Sequence, residues 1–218
     1  ESSIAFRVRV GAMEDPKDTP GVAHLLEHML FMGSEEFKDP GEFASFVTQN
    51  GGQSNAYTEL YETVFHLSIA NDQFEEAILR FSSFFKSSLL NPDLIKQETQ
   101  IVQSEHESNL ANDDWKLIQL KRHISNPKST YNGFSTGTAE KLNVPNIDKL
   151  LKNFYDSKYS ANLMNFVMYS DKSLDELREM TIRAFSAVKN KNLPEFLYNH
   201  QLNIAMTKSE LNRVVKVK

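Results

Sequence analysis

Cysteine is absent from the 218 residues. Disulfides and thiolate metal sites are therefore excluded, and any metal must be held by His, Asp or Glu. The absence also fits a reducing compartment, which favours a cytoplasmic location. No run of 18 apolar residues occurs, so no membrane-spanning helix is expected. Positive charge is in the minority. With 24 Lys and Arg against 29 Asp and Glu, the net charge of −5 offers no attraction for nucleic acid. There is no tandem repeat. An initiator methionine is also lacking: the chain starts at Glu1, runs at once into a strand-like stretch, and closes on another over 214–218. These ends read as those of a fragment of a longer protein, so a missing signal peptide carries no information. The second β-like run is expected to expose an unpaired edge that promotes self-association.

What remains is an ordinary globular composition, 40% hydrophobic and 24% charged, long enough for one large domain or two small ones. Within it stands His24-Leu25-Leu26-Glu27-His28, two imidazoles four apart with a carboxylate just before the second. On a helix at about 100° per residue all three project from one face. Two neutral imidazoles so placed can hold one Zn²⁺, with the carboxylate beside it to take a proton from water. The order H-x-x-E-H is the inverzincin motif, the reverse of H-E-x-x-H. Its flanks, Val22-Ala23 and Met29-Leu30-Phe31-Met32, are apolar, so the triplet is expected to be buried, where unpartnered polar groups are expensive.

Periodicity places a strand over 4–10 and the motif helix between a Thr19 cap with Pro20 at its first position and a Gly33 stop. A second helix is expected with Asp39 as its N-cap and Pro40 at its first position, and two strands lie in 53–70, joined around 59–61. A third helix starts at Asn71 or Asp72 and carries a phenylalanine stripe. A long helical region opens at Asn91-Pro92, breaks near 109–113 and resumes over 115–124. A loop over 126–138, a helix over 145–155, a buried strand over 162–169 and a helix over 173–188 with a Ser173–Glu176 capping box complete the pass. The order β-α-α-β-β-α-α-α-β-α predicts an α+β fold, a mainly antiparallel sheet covered by helices.

Two histidines do not close a catalytic zinc site, which needs a third protein ligand and an open position. Glu98 and Glu105, seven apart, share one helix face with Ile101 and Val102, although the pair also reads as two solvated acids. At this point the chain resembles the insulinase/pitrilysin family of zinc peptidases. In that family H-x-x-E-H is followed by 76 residues and then a glutamate ligand, and 76 intervening residues lead from His28 to Glu105. Further resemblance lies in Gly51-Gly52-Gln53-Ser54-Asn55-Ala56-Tyr57-Thr58, Asn109-Leu110-Ala111-Asn112-Asp113-Asp114-Trp115, Phe134-Ser135-Thr136-Gly137-Thr138 and Tyr159-Ser160-Ala161-Asn162-Leu163-Met164. It covers essentially the whole chain and is closest to the insulin-degrading-enzyme branch.

The resemblance implies an N-terminal catalytic domain over 1–200, with 201–218 as a linker and first strand of a following domain. It implies zinc held by His24, His28 and Glu105, Glu27 as general base, and Glu98 orienting one ligand histidine from behind. Peptide substrates are expected to add as a strand beside Asn55, Ala56 and Tyr57, with Phe31 and Tyr57 lining a side-chain pocket. Trp115 and the remaining histidines, His66, His106, His123 and His200, read as packing or surface residues. The function implied is zinc-dependent endopeptidase, completed by the remaining domains of a longer chain and inactive in this piece alone. A non-catalytic scaffold of the same fold, or an organellar processing peptidase, are the alternatives.

Overall fold

Alternation of core and surface side chains builds the sheet. A computed structural model describes residues 1–194 and residue 206. In β1 (Ser2–Val8), Ile4, Phe6 and Val8 point to the core while Ser3, Ala5 and Arg7 point away. β3 (Thr63–Ile69) repeats the pattern with Phe65, Leu67 and Ile69. With β2 (Gln53–Thr58) and β4 (Met164–Tyr169) they form one antiparallel sheet in the order β2-β3-β1-β4. The register sets Phe6 opposite Phe65 on one side and Phe166 on the other.

The helices lie on the core face of this sheet. They are α1 (Val22–Leu30), α2 (Glu42–Gln49), α3 (Phe74–Ser87), α4 (Pro92–Leu110), α5 (Asp113–His123), α6 (Ala139–Leu142), α7 (Ile147–Lys158) and α8 (Leu174–Phe185). The phenylalanine stripe of α3 drives the packing. Phe85 stacks on Phe6 at 4.1 Å, and Phe84 meets Phe43 of α2 edge-on at 4.9 Å. Such pairs add about 0.5–1.5 kcal/mol each beyond burial. On the opposite face Ala5, His66 and Val167 are exposed. The α+β antiparallel architecture expected from the sequence is the one found, with α5 separate from α4 and the short α6 added.

Three local expectations are corrected. The motif helix does not start at Thr19. Its N-cap is Gly21, left-handed at φ 98°, and Asp15 supplies the cap from upstream, accepting from Gly21 N (2.7 Å) and Ala23 N (2.8 Å). The second helix begins after Gly41, because Asp39 closes a turn onto Gly41 N before it. The strand over 162–169 is not buried. It starts at Met164 and is an edge of the sheet among the described residues, with Val167 73% and Tyr169 74% exposed. Its apolar letters mark only one covered face, where Phe166 stacks on Phe6 and Phe185. Elsewhere the Asn91 cap and the Ser173–Glu176 capping box form as read. The expected strand and edge over 214–218, like His200, lie outside the described residues.

Asp15 is thus the side chain that begins the motif helix. Asp15→Ala is expected to lower stability by about 1–2 kcal/mol, read as a shifted denaturant midpoint at unchanged slope.

Candidate metal centre

Helix α1 aims His24, Glu27 and His28 at one spot because its other face is held by Val22, Leu25, Leu26 and Met29, all fully buried. Helix α4 crosses behind it and presents Glu98 and Glu105 two turns apart. The imidazole and carboxylate ligand atoms of His24, His28 and Glu105 lie within 4.8 Å of one another. Glu105 Oε2 stands 3.4 Å from His24 Nε2 and 3.7 Å from His28 Nε2.

Each ring is held from its other nitrogen. His24 Nδ1 meets the backbone carbonyl of Thr136 at 2.7 Å, and His28 Nδ1 meets Glu98 Oε2 at 3.3 Å. Glu98 is only 3% exposed. Both Nδ1 atoms can therefore donate, which leaves both Nε2 lone pairs facing Glu105. Donor atoms about 2.0–2.1 Å from a tetrahedral zinc lie about 3.3–3.4 Å apart. The two Nε2–Oε2 separations, 3.4 and 3.7 Å, come close to that spacing, the donor set of two imidazoles and one carboxylate suits that ion, and the hydrogen-bonded rings supply the outer support such ligands need.

The electrostatics follow from crowding. Burial opposes a charged His28 ring, but the carboxylates of Glu105 and Glu98 overcome it and raise its pKa to about 9. Contact with His28 pulls Glu105 below the ordinary carboxylate range. Burial pushes Glu27 upward, opposed by the charge of His24 and by the Thr58 hydroxyl, which donates to Glu27 Oε2 at 2.6 Å. A metal must displace the proton on His28. Apparent zinc affinity is therefore expected to rise about tenfold per pH unit from neutrality to about pH 9, with proton release on binding. Calorimetry in buffers of different ionisation enthalpy reads both.

A cleft of about 610 Å³ opens over His24, His28 and Glu105, walled by Phe31, Ala56, Tyr57 and Trp115 among others. Asn55 also faces it, with its Oδ1 accepting from Ala56 N and its amide nitrogen left to donate. Phe31 belongs equally to the core, with its ring against Phe43, Phe65 and Phe84. Trp115, read above as a packing residue, is over a third exposed on the cleft wall. His106 packs edge-on against Phe134, and His66 and His123 are exposed.

The sequence reading missed Asp15, Thr58 and the carbonyl of Thr136. Thr58 carried a signal. It pairs with core-facing Thr63, so strand parity turns it toward α1. The Phe134–Thr138 segment gains a structural reason as well. A Cβ on Gly21 would come within 2.3 Å of Gly137 Cα, so the loop and the helix start interlock through two left-handed glycines.

The chain is similar to several known proteins. The chain is 38% identical over 203 residues to insulin-degrading enzyme-like 2 of Arabidopsis thaliana, covering 89% of this chain and 21% of that protein. It is 37% identical over 205 residues to the insulin-degrading enzyme of Homo sapiens, covering 90% and 20%. The crystal structure of pitrilysin superposes with a TM-score of 0.90 at 32% identity, over 96% of this chain and 22% of that one. The chain thus spans about one fifth of the length of these relatives. No helix among the described residues is long and apolar enough to cross a membrane. The profile of Insulinase (Peptidase family M16) matches residues 1–128, more than half of the sequence, and the chain belongs to that family of metallopeptidases.

Proposed function

We propose that this chain carries the zinc centre of an endopeptidase acting on extended peptides. The observation that carries the reading is the convergence of both Nε2 atoms on Glu105 Oε2, with each Nδ1 already engaged. His24, His28 and Glu105 hold the ion. When bound, zinc supplies a Lewis acid that polarises a carbonyl and makes water a better nucleophile near neutral pH.

Glu27 serves as the general base. It takes the proton of the attacking water and delivers it to the amine nitrogen as the C–N bond breaks. Thr58 fixes one carboxylate oxygen of Glu27 and leaves the other to face the cleft. Glu98 keeps His28 oriented. The substrate lies along the free edge of β2, where main-chain hydrogen bonds give affinity with little sequence preference. Asn55 donates its amide to the substrate backbone beside Ala56. Phe31 and Tyr57 receive the side chain that follows the cut. Further domains of a longer protein supply the opposite wall of the chamber, in keeping with relatives about five times the length of this chain.

Metal removal tests the reading. In a longer protein containing this chain, a chelator is expected to abolish cleavage of an unstructured peptide, and one equivalent of zinc to restore it. Cleavage that survives complete removal of metal would refute the proposal.

A further inference from the structure

Arg122, in the last turn of α5, is only 7% exposed. A buried guanidinium ordinarily has a carboxylate against it. Among the described residues Arg122 has none in contact. Glu59 and Tyr131 act on it only at a distance, and its Nε is buried without a hydrogen-bond partner. With no carboxylate in contact among the described residues, it does not account for itself through stability.

Its contacts run instead toward the metal centre. Nη1 donates to the Ser135 hydroxyl. The next residue, Thr136, offers the carbonyl that accepts from His24 Nδ1. The residue after that, Gly137, locks against Gly21 at the start of α1. Arg122 also anchors the near end of this loop. Its own carbonyl accepts from Ser125 Oγ at 2.6 Å and from Asn132 Nδ2 at 2.8 Å. The segment that fixes one ligand ring is therefore tied to Arg122 at both ends, and Arg122 itself does not line the cleft.

We propose that Arg122 is a positioning residue for the metal centre: through Ser135 it holds the Thr136 carbonyl against His24 Nδ1, and so keeps Nε2 of that ring available to the metal. The inference rests on the zinc-centre reading above. It distinguishes Arg122 from a residue of the general fold, because a methionine would fill the same space without an unpaired charge.

The test uses the full chain with zinc and with cobalt(II) as the spectroscopic probe. Zinc affinity is measured by competition with a chromogenic chelator. Arg122→Met is expected to lower zinc affinity by about 10–100-fold, to alter the visible bands of the cobalt form, and to leave the thermal midpoint of the metal-free chain near that of the parent. Arg122→Lys, which retains one donor for Ser135, is expected to recover most of the affinity. Arg122→Met binding zinc within twofold of the parent would overturn the inference. So would a loss matched by lower metal-free stability and not recovered by lysine, since that marks a structural role. Should Arg122→Met fail to fold, Ser135→Ala decides: a tenfold loss supports the inference and unchanged affinity overturns it. A parent chain that binds no zinc at all overturns the metal-centre reading, and this inference with it.

Discussion

Replacing Glu27 by glutamine in a longer protein is expected to leave one zinc per chain and to lower peptide hydrolysis by about 10²–10⁴-fold. The side chain contributes no atom to the His24, His28 and Glu105 cluster, so metal content has no reason to change. Glutamine keeps the volume and an oxygen that can accept from Thr58, so the 2.6 Å hydrogen bond has a successor and the buried position stays filled. What disappears is the capacity to take up a proton. Elemental analysis beside initial rates separates the two quantities. Hydrolysis at the parental rate, with zinc in place, would remove Glu27 from the role of base. Zinc lost together with activity would show instead that Glu27 belongs to the ligand set.

The second large effect is expected at His28. Its replacement by alanine removes a proposed ligand and also strips Glu98 of its partner. Zinc binding is expected to disappear at equimolar metal, and hydrolysis with it. In the metal-free chain a buried carboxylate then loses its counter-charge, at an expected cost of about 1–3 kcal/mol. Metal content and metal-free denaturation report these consequences separately. His28→Ala together with Glu98→Gln is expected to recover part of the stability and none of the zinc. Stoichiometric zinc retained by His28→Ala would exclude the assigned ligand set.

Much of this centre is legible in the sequence because helix geometry carries it. The spacing of His24, Glu27 and His28 sets one helix face. The seven-residue step from Glu98 to Glu105 brings two acids to the same side of another, and both segments are helices in the structure. The resemblance singled out Glu105, and geometry divides the labour by giving Glu98 to His28. The Thr136 carbonyl that holds His24 was illegible for a physical reason. Every residue owns a carbonyl, so no letter marks it. Asp15 was hidden differently: a capping side chain six residues ahead of Gly21, across a turn, outcompetes the Thr-Pro pair that local rules favour. The last strand misled because Phe166, Val167 and Met168 read as buried on both faces, whereas an edge strand needs cover on only one.

The sequence separations within the centre carry a consequence for how it comes into being. Glu27 meets Thr58 across 31 residues, His28 meets Glu98 across 70, and His24 meets Thr136 across 112. Loop-closure entropy grows with each span, and non-local contacts slow a chain's search for its native topology. The final orientation of His24 is therefore set by the most distant of the three contacts. A short peptide bearing His24 to His28 has none of them, and its imidazoles must be ordered by the ion itself. Metal uptake in refolding experiments is accordingly expected to track the arrival of the loop after α5, which brings the Thr136 carbonyl to His24.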